Sequence, residues 1–488
     1  MEKLIEQRKK KLEELRQAGI NPYPNDFRPN RTTEELHRQY DSRSREDLEC
    51  VEDSIAVAGR VMSMRGFGKA AFFHLQDRKG RIQVYVRKDK VGEDSYRIFE
   101  RVDIGDIIGV NGKVFRTKTG ELTLEVNAIR LLSKSFRTLP EKWHGLKDVE
   151  IRYRQRSLDL MVNHQVRETF LKRNRIIRLI REFFDSRDFI EVETPMMQAV
   201  PGGAIARPFI THHNAMNMDL YLRIAPELFL KRLIVGGLER VYEINRNFRN
   251  EGVSTLHNPE FTMLEFYQTY AAYEDFMSLT EELICNLARE ICGSLTIEYQ
   301  GRTINLSSPW KRISLDDAVV SFGKIDRDAL RSREKMASIL KEKGISVEGQ
   351  DTLGEIIILA FEGLVQPQLV DPVFIYGYPV EVSPLARRND KDPERVDRFE
   401  LFINGMEMAN AFSELNDPLD QRERFLAKKS ERESVLPAGI DEEFLAAIEY
   451  GMPPAAGEGI GIDRLAMILT NSPSIRDVIL FPLLRPEK

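Results

Sequence analysis

Two periodicities predict that this chain of 488 residues is an α+β protein with more than one domain. From about Ile55 to Leu132, apolar residues recur at every second position in short runs broken by glycine turns, the signature of a small barrel. Further along, two strand pairs joined by polar or Asn-Gly turns lie among segments with the 3.6-residue helical period. The length itself argues for two or three domains with ample core.

Composition narrows the class. Charged residues make up 31% and apolar residues 42%, the mix of a soluble globular chain and not a disordered one. A net charge of -5 gives no bulk attraction to nucleic acid, so any RNA contact must rest on local basic surface. No apolar run reaches bilayer-spanning length, and the start, MEKLIEQRKKK, is charged where a signal peptide would be apolar. Cys50, Cys285 and Cys292 form no CxxC. The last two lie seven apart in a helical pattern and are expected to be ordinary buried thiols in a reducing cytosol.

Glu2 to Ala18 is expected to be an amphipathic helix, with Ile5, Leu12 and Leu15 as its apolar stripe. Arg8, Lys9, Lys10 and Lys11 fall on other faces, solvated or touching RNA. In the barrel region Ile82, Val84 and Val86 alternate with Arg81, Gln83, Tyr85 and Arg87, and short strands around Val110, Val114, Leu122 and Leu124 break at Asn111-Gly112 and Thr119-Gly120. The pattern predicts a five-stranded OB-type β-barrel over residues 51–135, after an N-terminal helical extension, 1–50. A two-residue loop within Arg78-Lys79-Gly80 puts Phe72, His74 and Gln76 on one face with Gln83 and Tyr85. With Arg65 and Lys69 nearby, that face is either a platform for stacked single-stranded bases or an exposed sheet surface without a ligand. A polar linker, 136–165, contains RYRQRSLDL, and a long helix runs from about Arg167 to Ser186. In the following RDFIEVETPMM, Asp188 is expected to adopt a left-handed turn. Residues 314–364 read as mostly helical, and KMAS at Lys335 falls in that helical context with no chemistry of its own.

Three segments carry chemistry. The first is RNFRNEGVSTLHNPEFTMLEFY, Arg246 to Tyr267, read as two strands around a polar loop. Tyr242, Ile244 and Phe248 share one parity, and Glu243, Asn245, Arg249 and Glu251 the other. Phe261, Met263, Glu265 and Tyr267 then share a face. Arginine, aromatic ring and carboxylates together suit a ligand that is anionic at one end, flat in the middle and cationic elsewhere, as ATP with a basic amino acid is. An amphipathic hairpin facing water is the other reading these residues leave open. The second segment, FELFINGMEMANAF, turns at Asn404-Gly405, which sets Phe402 opposite Glu407 and Glu400 diagonal to it. Carboxylates about 6 Å apart repel unless a cation lies between them, and Mg2+ on triphosphate oxygens suits that place, although two solvated edge acids fit the pattern too. Asn410, Phe412 and Glu414 fall on the opposite parity, so a bulge near Ala409 is required if all line one pocket. The third, GEGIGIDR, runs from strand to helix with Gly457, Gly459 and Gly461 on one bare face, suited to a flat ring or to close packing. Arg464 follows in the first helical turn, where amide dipoles favour an anion.

FRNEG followed by HNPEFTMLE resembles the second signature motif of class II aminoacyl-tRNA synthetases, closest to the lysyl-tRNA synthetase family of bacterial type. RDFIEVETPMM resembles the first motif, found at the interface of homodimers, with Asp188 where glycine is usual, and GEGIGIDR resembles the third. PGGAIARPF and RIAPELFLKRL are similar to lysyl-family segments. The resemblance implies that 166–488 is a class II catalytic domain, an antiparallel β-sheet flanked by helices with a mostly helical insertion at about 314–364. The implied reaction activates L-lysine with ATP and transfers it to tRNA(Lys). In it, Arg249 bridges the α-phosphate and the lysine carboxylate, Phe261 stacks on adenine opposite Arg464, and Glu251, His257, Asn258 and Gly459 hold the nucleotide. Glu400 and Glu407 take Mg2+. Glu265, Tyr267 and Glu414 receive the ε-amine beside Asn410 and Phe412, while Glu227 and the Gly202-Gly203 backbone hold the α-amine. Arg65, Phe72 and Gln83 fall at anticodon-reading positions. Glu458 stands where many relatives are apolar, which concerns packing on the other face. Aspartyl and asparaginyl enzymes share the architecture but need a cationic or amide pocket. Ligases that lysylate a protein lack the barrel, and a non-catalytic paralogue would have lost Arg249 or Arg464.

Overall fold

The structure is a computed structural model that describes residues 2–486 apart from 52, 140–145, 147, 205, 350 and 433–439. The chain divides into two compact units, Met1–Lys147 and Asp148–Lys488. Part of the predicted linker, 140–145 and 147, lies outside the described residues.

The first unit is built around a closed five-stranded barrel, Ile55–Phe67, Ala70–Gln76, Arg81–Arg87, Leu122–Ser133 and Ile107–Arg116 in order round the wall. Every second residue points inward, so Phe73, Leu75, Ile82, Val84 and Val86 are buried in its core. Asp77 and Gly80 close the hairpin through a 3.0 Å backbone bond, leaving Arg78-Lys79 as the two-residue loop. The Asp77 carboxylate accepts from the Lys79 and Gly80 amides, which pins the turn. Phe72 therefore faces Tyr85, and His74 faces Gln83.

The helix Glu2–Gln17 buries Leu12 and Leu15 as its spacing requires. Arg8 departs from expectation. It is buried, and its guanidinium donates to the carbonyls of Ile104, Ser135 and Arg137 at 2.8–3.0 Å, so it is neither solvated nor presented to RNA. Carbonyls on neighbouring loops need donors, and the guanidinium's fork meets three of them.

In the second unit an eight-stranded sheet runs in the order Lys311–Ser314, Val373–Tyr376, Arg398–Ile403, Met406–Ser413, Ala455–Gly461, Glu260–Thr269, Arg240–Phe248 and Ile190–Glu191. Its two outermost pairings are parallel and the rest antiparallel. One face is covered by the helices His164–Asp185, Tyr273–Cys292 and Ile462–Thr470, whose apolar stripes meet Tyr242, Leu264, Phe266, Leu401 and Ile460. Phe184 lies 5.2 Å from Tyr242 and 4.7 Å from Phe266, centroid to centroid, fixing the long helix on the sheet. Alternation sends Met263, Glu265 and Tyr267 to the opposite face, which the helices leave uncovered. Residues 314–364 are largely helical and pack a core of their own against Phe402, and Lys335 sits inside the helix Arg333–Glu342. The 136–165 stretch is less plain than a linker, for Val149–Arg154 and Arg156–Val162 are helices. Asp188 has φ 61°, the left-handed turn its side chain tolerates. Cys285 is buried, but Cys292, expected buried, ends its helix exposed while its thiol reaches the Leu469 carbonyl. Among the described residues no helix is long and apolar enough to cross a membrane.

Candidate active site

A cavity of about 900 Å³ occupies the face of the sheet that the helices leave free. Its floor comes from the three central strands. Glu265 lies opposite Gly459, which in turn lies opposite Asn410, and Tyr267 lies opposite Gly457, which lies opposite Phe412. The glycines separate the two readings their spacing allowed. A Cβ on Gly457 would meet Glu414 Oε1 at 2.2 Å and the Tyr267 ring at 2.3 Å, so close packing demands glycine there. At Gly459 the nearest neighbour is the flexible end of Met263 at 3.1 Å, and around Gly461 nothing lies closer than 3.8 Å. That part of the strand is bare wall facing the cavity.

The hairpin Arg398–Ile403/Met406–Ser413 turns at Asn404 (φ 49°) and Gly405 (φ 71°). Phe402 pairs with Glu407 but Leu401 pairs with Ala409, so Met408 is the extra residue of a bulge. The register flip expected near Ala409 therefore sits one residue earlier, and it brings Glu407, Asn410 and Phe412 to one cavity wall.

Arg249, beyond the strand Arg240–Phe248, lines the cavity and stacks over the Phe261 ring at 5.1 Å. Its Nε has no partner among the described residues. Burial draws the guanidinium pKa down, while Glu407, Glu251 and Glu265 oppose that. Arg464, on the first turn of Ile462–Thr470, donates to the Glu407 carbonyl at 2.6 Å and lies 3.3 Å from His257 Nε2. Burial, with Arg464 adding, lowers the His257 pKa, so the imidazole is neutral at pH 7. Asn258 donates to the Glu260 carbonyl and accepts from the Leu483 amide. Behind the wall, buried Asp463 accepts from Arg173 and the Thr262 amide, both at 2.7 Å, which anchors the helix carrying Arg464.

At the other end of the cavity Gly203 (φ 83°) lies against Glu227, the first residue of the helix Glu227–Val235. Glu265 is buried with one donor, Tyr267 Oη at 3.4 Å, and among the described residues no lysine or arginine pairs with it. Burial, with Glu227 and Glu243 adding, pushes its pKa up to about 8. Two assigned residues do not line the cavity. Glu400 accepts from Arg398 at 2.5 Å and Tyr378 at 2.9 Å, and its pKa is pushed up to about 7 by burial, with Arg398 opposing and Glu407 adding. Glu414 packs beside Tyr267 over the face of Gly457 that a side chain would occupy, 2.5 Å from Lys231 Nζ. Lys231, Arg398 and Tyr378 were not singled out from sequence. Lys231 lies in an ordinary helix, Arg398 in a strand and Tyr378 in the loop after Val373–Tyr376, so only the fold reveals their neighbours.

On the barrel, Phe72 stacks on Tyr85 with centroids 4.4 Å apart, flanked by Phe67 and Phe115, and Arg65 pairs across the ladder with Phe72. Both ends of the Gln83 amide are engaged, by Glu121 at 2.7 Å and Thr123 at 2.8 Å.

The family model for class II tRNA synthetases (D, K and N) matches residues 148–485, and that of the OB-fold nucleic acid binding domain matches 55–132. The chain is 55% identical to a lysine–tRNA ligase of Carboxydothermus hydrogenoformans, over 100% of this chain and 99% of the relative. A lysine–tRNA ligase of Pelotomaculum thermopropionicum is also 55% identical, over 100% and 96%. One from Thioalkalivibrio sulfidiphilus is 54% identical, over 99% and 98%.

Proposed function

The chain belongs to the class II tRNA synthetases of the aspartate, lysine and asparagine group, and from that premise we propose that it joins L-lysine to tRNA(Lys) using ATP. The observation that carries the choice of amino acid is Glu265. A buried carboxylate that no lysine or arginine pairs with is unfavourable in an empty pocket and becomes favourable only around a ligand's ammonium. An aspartate or asparagine side chain offers no such charge. Aspartate would add a further anion.

The lysine ammonium lies against Glu265 and Tyr267, its methylenes run along Phe412 beside Asn410, and its α-amine meets Glu227 and the Gly203 backbone. Glu414 contributes from beside Tyr267. Arg249 bridges the carboxylate and the α-phosphate, reducing repulsion between the two anions. One carboxylate oxygen attacks the α-phosphorus as the bond to the leaving pyrophosphate breaks, giving lysyl-adenylate. A hydroxyl of the terminal tRNA ribose then attacks the carbonyl carbon, and AMP leaves. No protein nucleophile is needed; the enzyme positions its substrates and offsets charge. Phe261 offers its ring to adenine, which requires the Arg249 guanidinium now stacked over it to turn towards the phosphates. Arg464 covers the other side, and Glu251, His257, Asn258 and Gly459 complete the nucleotide site. Glu407, on the cavity wall, would hold Mg2+, and Glu400 would join it on leaving Arg398 and Tyr378, which hold it outside the cavity lining. When bound, the ion would neutralise triphosphate charge. The barrel's Arg65, Phe72 and Gln83 read the anticodon. Exposed Ile190, Met196, Met197 and Ile210 support pairing of two copies, and free cysteines support a cytosolic place of action.

ATP–pyrophosphate exchange measured with each of the twenty amino acids tests the reading. Lysine alone should drive exchange at physiological concentration, and preference for any other amino acid would overturn it.

A further inference from the structure

Behind the amino-acid end of the cavity lies an ammonium that belongs to the protein. Lys231 is fully buried on the helix Glu227–Val235, one turn after Glu227, so the two side chains share a face. Its Nζ lies 2.7 Å from Glu227 Oε1 and 2.5 Å from Glu414 Oε2, and 5.4 Å from the centre of the Phe412 ring. Glu414 arrives from the far side, just past the end of the strand Met406–Ser413. One cation thus joins a helix to a strand through two acids, behind a wall that includes Glu227 and Phe412.

Fold stability does not explain this triad. A buried ion cluster stabilises no better than well-packed apolar side chains of similar volume, and lysine is rarely buried without a specific role. Charge counting does explain it. Glu227, Glu265 and Glu414 are three buried acids, and Lys231 compensates one of them. The nearby Glu243 is matched by Arg223 at 2.9 Å and leaves the count unchanged. Two acids remain without a matching cation.

We propose that Lys231 is a positioning and specificity residue: it fixes Glu227 and Glu414 in place and sets the number of acids without a cation at two, the number of ammonium groups on a diamino acid. The proposal rests on the reading of this cavity as a lysine site. Without Lys231, three unmatched acids would face two ammonium groups. The excess acid must then keep its proton in the complex, so each lysine bound displaces the native number of protons while the acids lose the cation that holds them in place.

The test uses the whole protein with Lys231→Met, similar in volume but uncharged, and Lys231→Arg, which keeps the charge. Pyrophosphate exchange gives the KM for lysine and for ATP, and titration calorimetry in buffers of different protonation enthalpy counts protons released on lysine binding. For Lys231→Met the expected result is at least a hundredfold rise in the lysine KM, an ATP KM within about threefold of native, and the native number of protons released per lysine. Lys231→Arg should release the native number of protons even where its bulk weakens binding. A native lysine KM in Lys231→Met would overturn the proposal, and so would an additional proton released per lysine, which would mean three ionised acids around two ammonium groups. So would parallel loss of lysine and ATP binding with a lowered melting temperature, which marks a purely structural residue. Should the native protein activate a different amino acid, the reading of the cavity falls instead, and the two failures are distinct.

Discussion

Glu265 shows how one side chain couples substrate binding to pH. With its pKa pushed up to about 8 by burial and the adjacent acids, it is protonated in the free protein at pH 7. An ammonium needs it ionised, so lysine binding expels that proton. Affinity for lysine should rise close to tenfold per pH unit up to about pH 8, and calorimetry at pH 7 should detect its release. Glu265→Gln should abolish that release and raise the lysine KM about a hundredfold, with the ATP KM nearly unchanged. Equal loss of both substrates would refute the role. The sign for stability follows from the same shift. The folded pKa stands above the 4.5 of an unperturbed carboxyl, so the stabilising contribution is complete below pH 4.5 and is lost as pH rises towards 8. Bound lysine reverses the loss.

Among the elements, the strand Ala455–Gly461 decides how near substrate and protein can approach. Its glycines alternate on one face but are not equivalent. Gly457→Ala forces a methyl into Tyr267 and Glu414 and should cost about 1–3 kcal/mol by overpacking, with at least a tenfold rise in the lysine KM. Gly459→Ala meets only the mobile tip of Met263 and should cost well under that in melting experiments. A larger stability loss at Gly459 than at Gly457 would contradict this account. The neighbouring strand carries the bulge at Met408, which lets one ladder present Glu407 and then Asn410 and Phe412 to the same wall. Parity showed that a bulge was needed, since residues an odd number apart cannot share a face on a regular strand. Its place, one residue from expectation, follows from how Leu401 and Ala409 pair in the packed sheet.

At the scale of the molecule, two units divide the work. The second contains every residue assigned to lysine, ATP and Mg2+, and the first carries the aromatic platform. Phe72→Ala should therefore lower kcat/KM for tRNA by about 5–150-fold, the worth of one base stacked on an aromatic ring at about 1–3 kcal/mol. Pyrophosphate exchange should stay at the native rate. Loss of exchange in that variant would show that the platform does more than read RNA.

By itself the sequence determined what depends on local order. Period-two alternation produced the barrel strands and the pairing of Phe72 with Tyr85, because side-chain direction along a strand follows from the backbone alone. Asn404-Gly405 set its hairpin, and Asp188 its left-handed turn, since both depend on the φ these residues tolerate. The tertiary structure alone decided which distant charges meet. Lys231 meets an acid 183 positions later (414 − 231), Arg8 caps carbonyls about a hundred residues away, and Glu400 lies under Arg398 behind the cavity lining. Electrostatic partnership depends on distance in space and on exclusion of water, and neither is written in the spacing of residues along a chain.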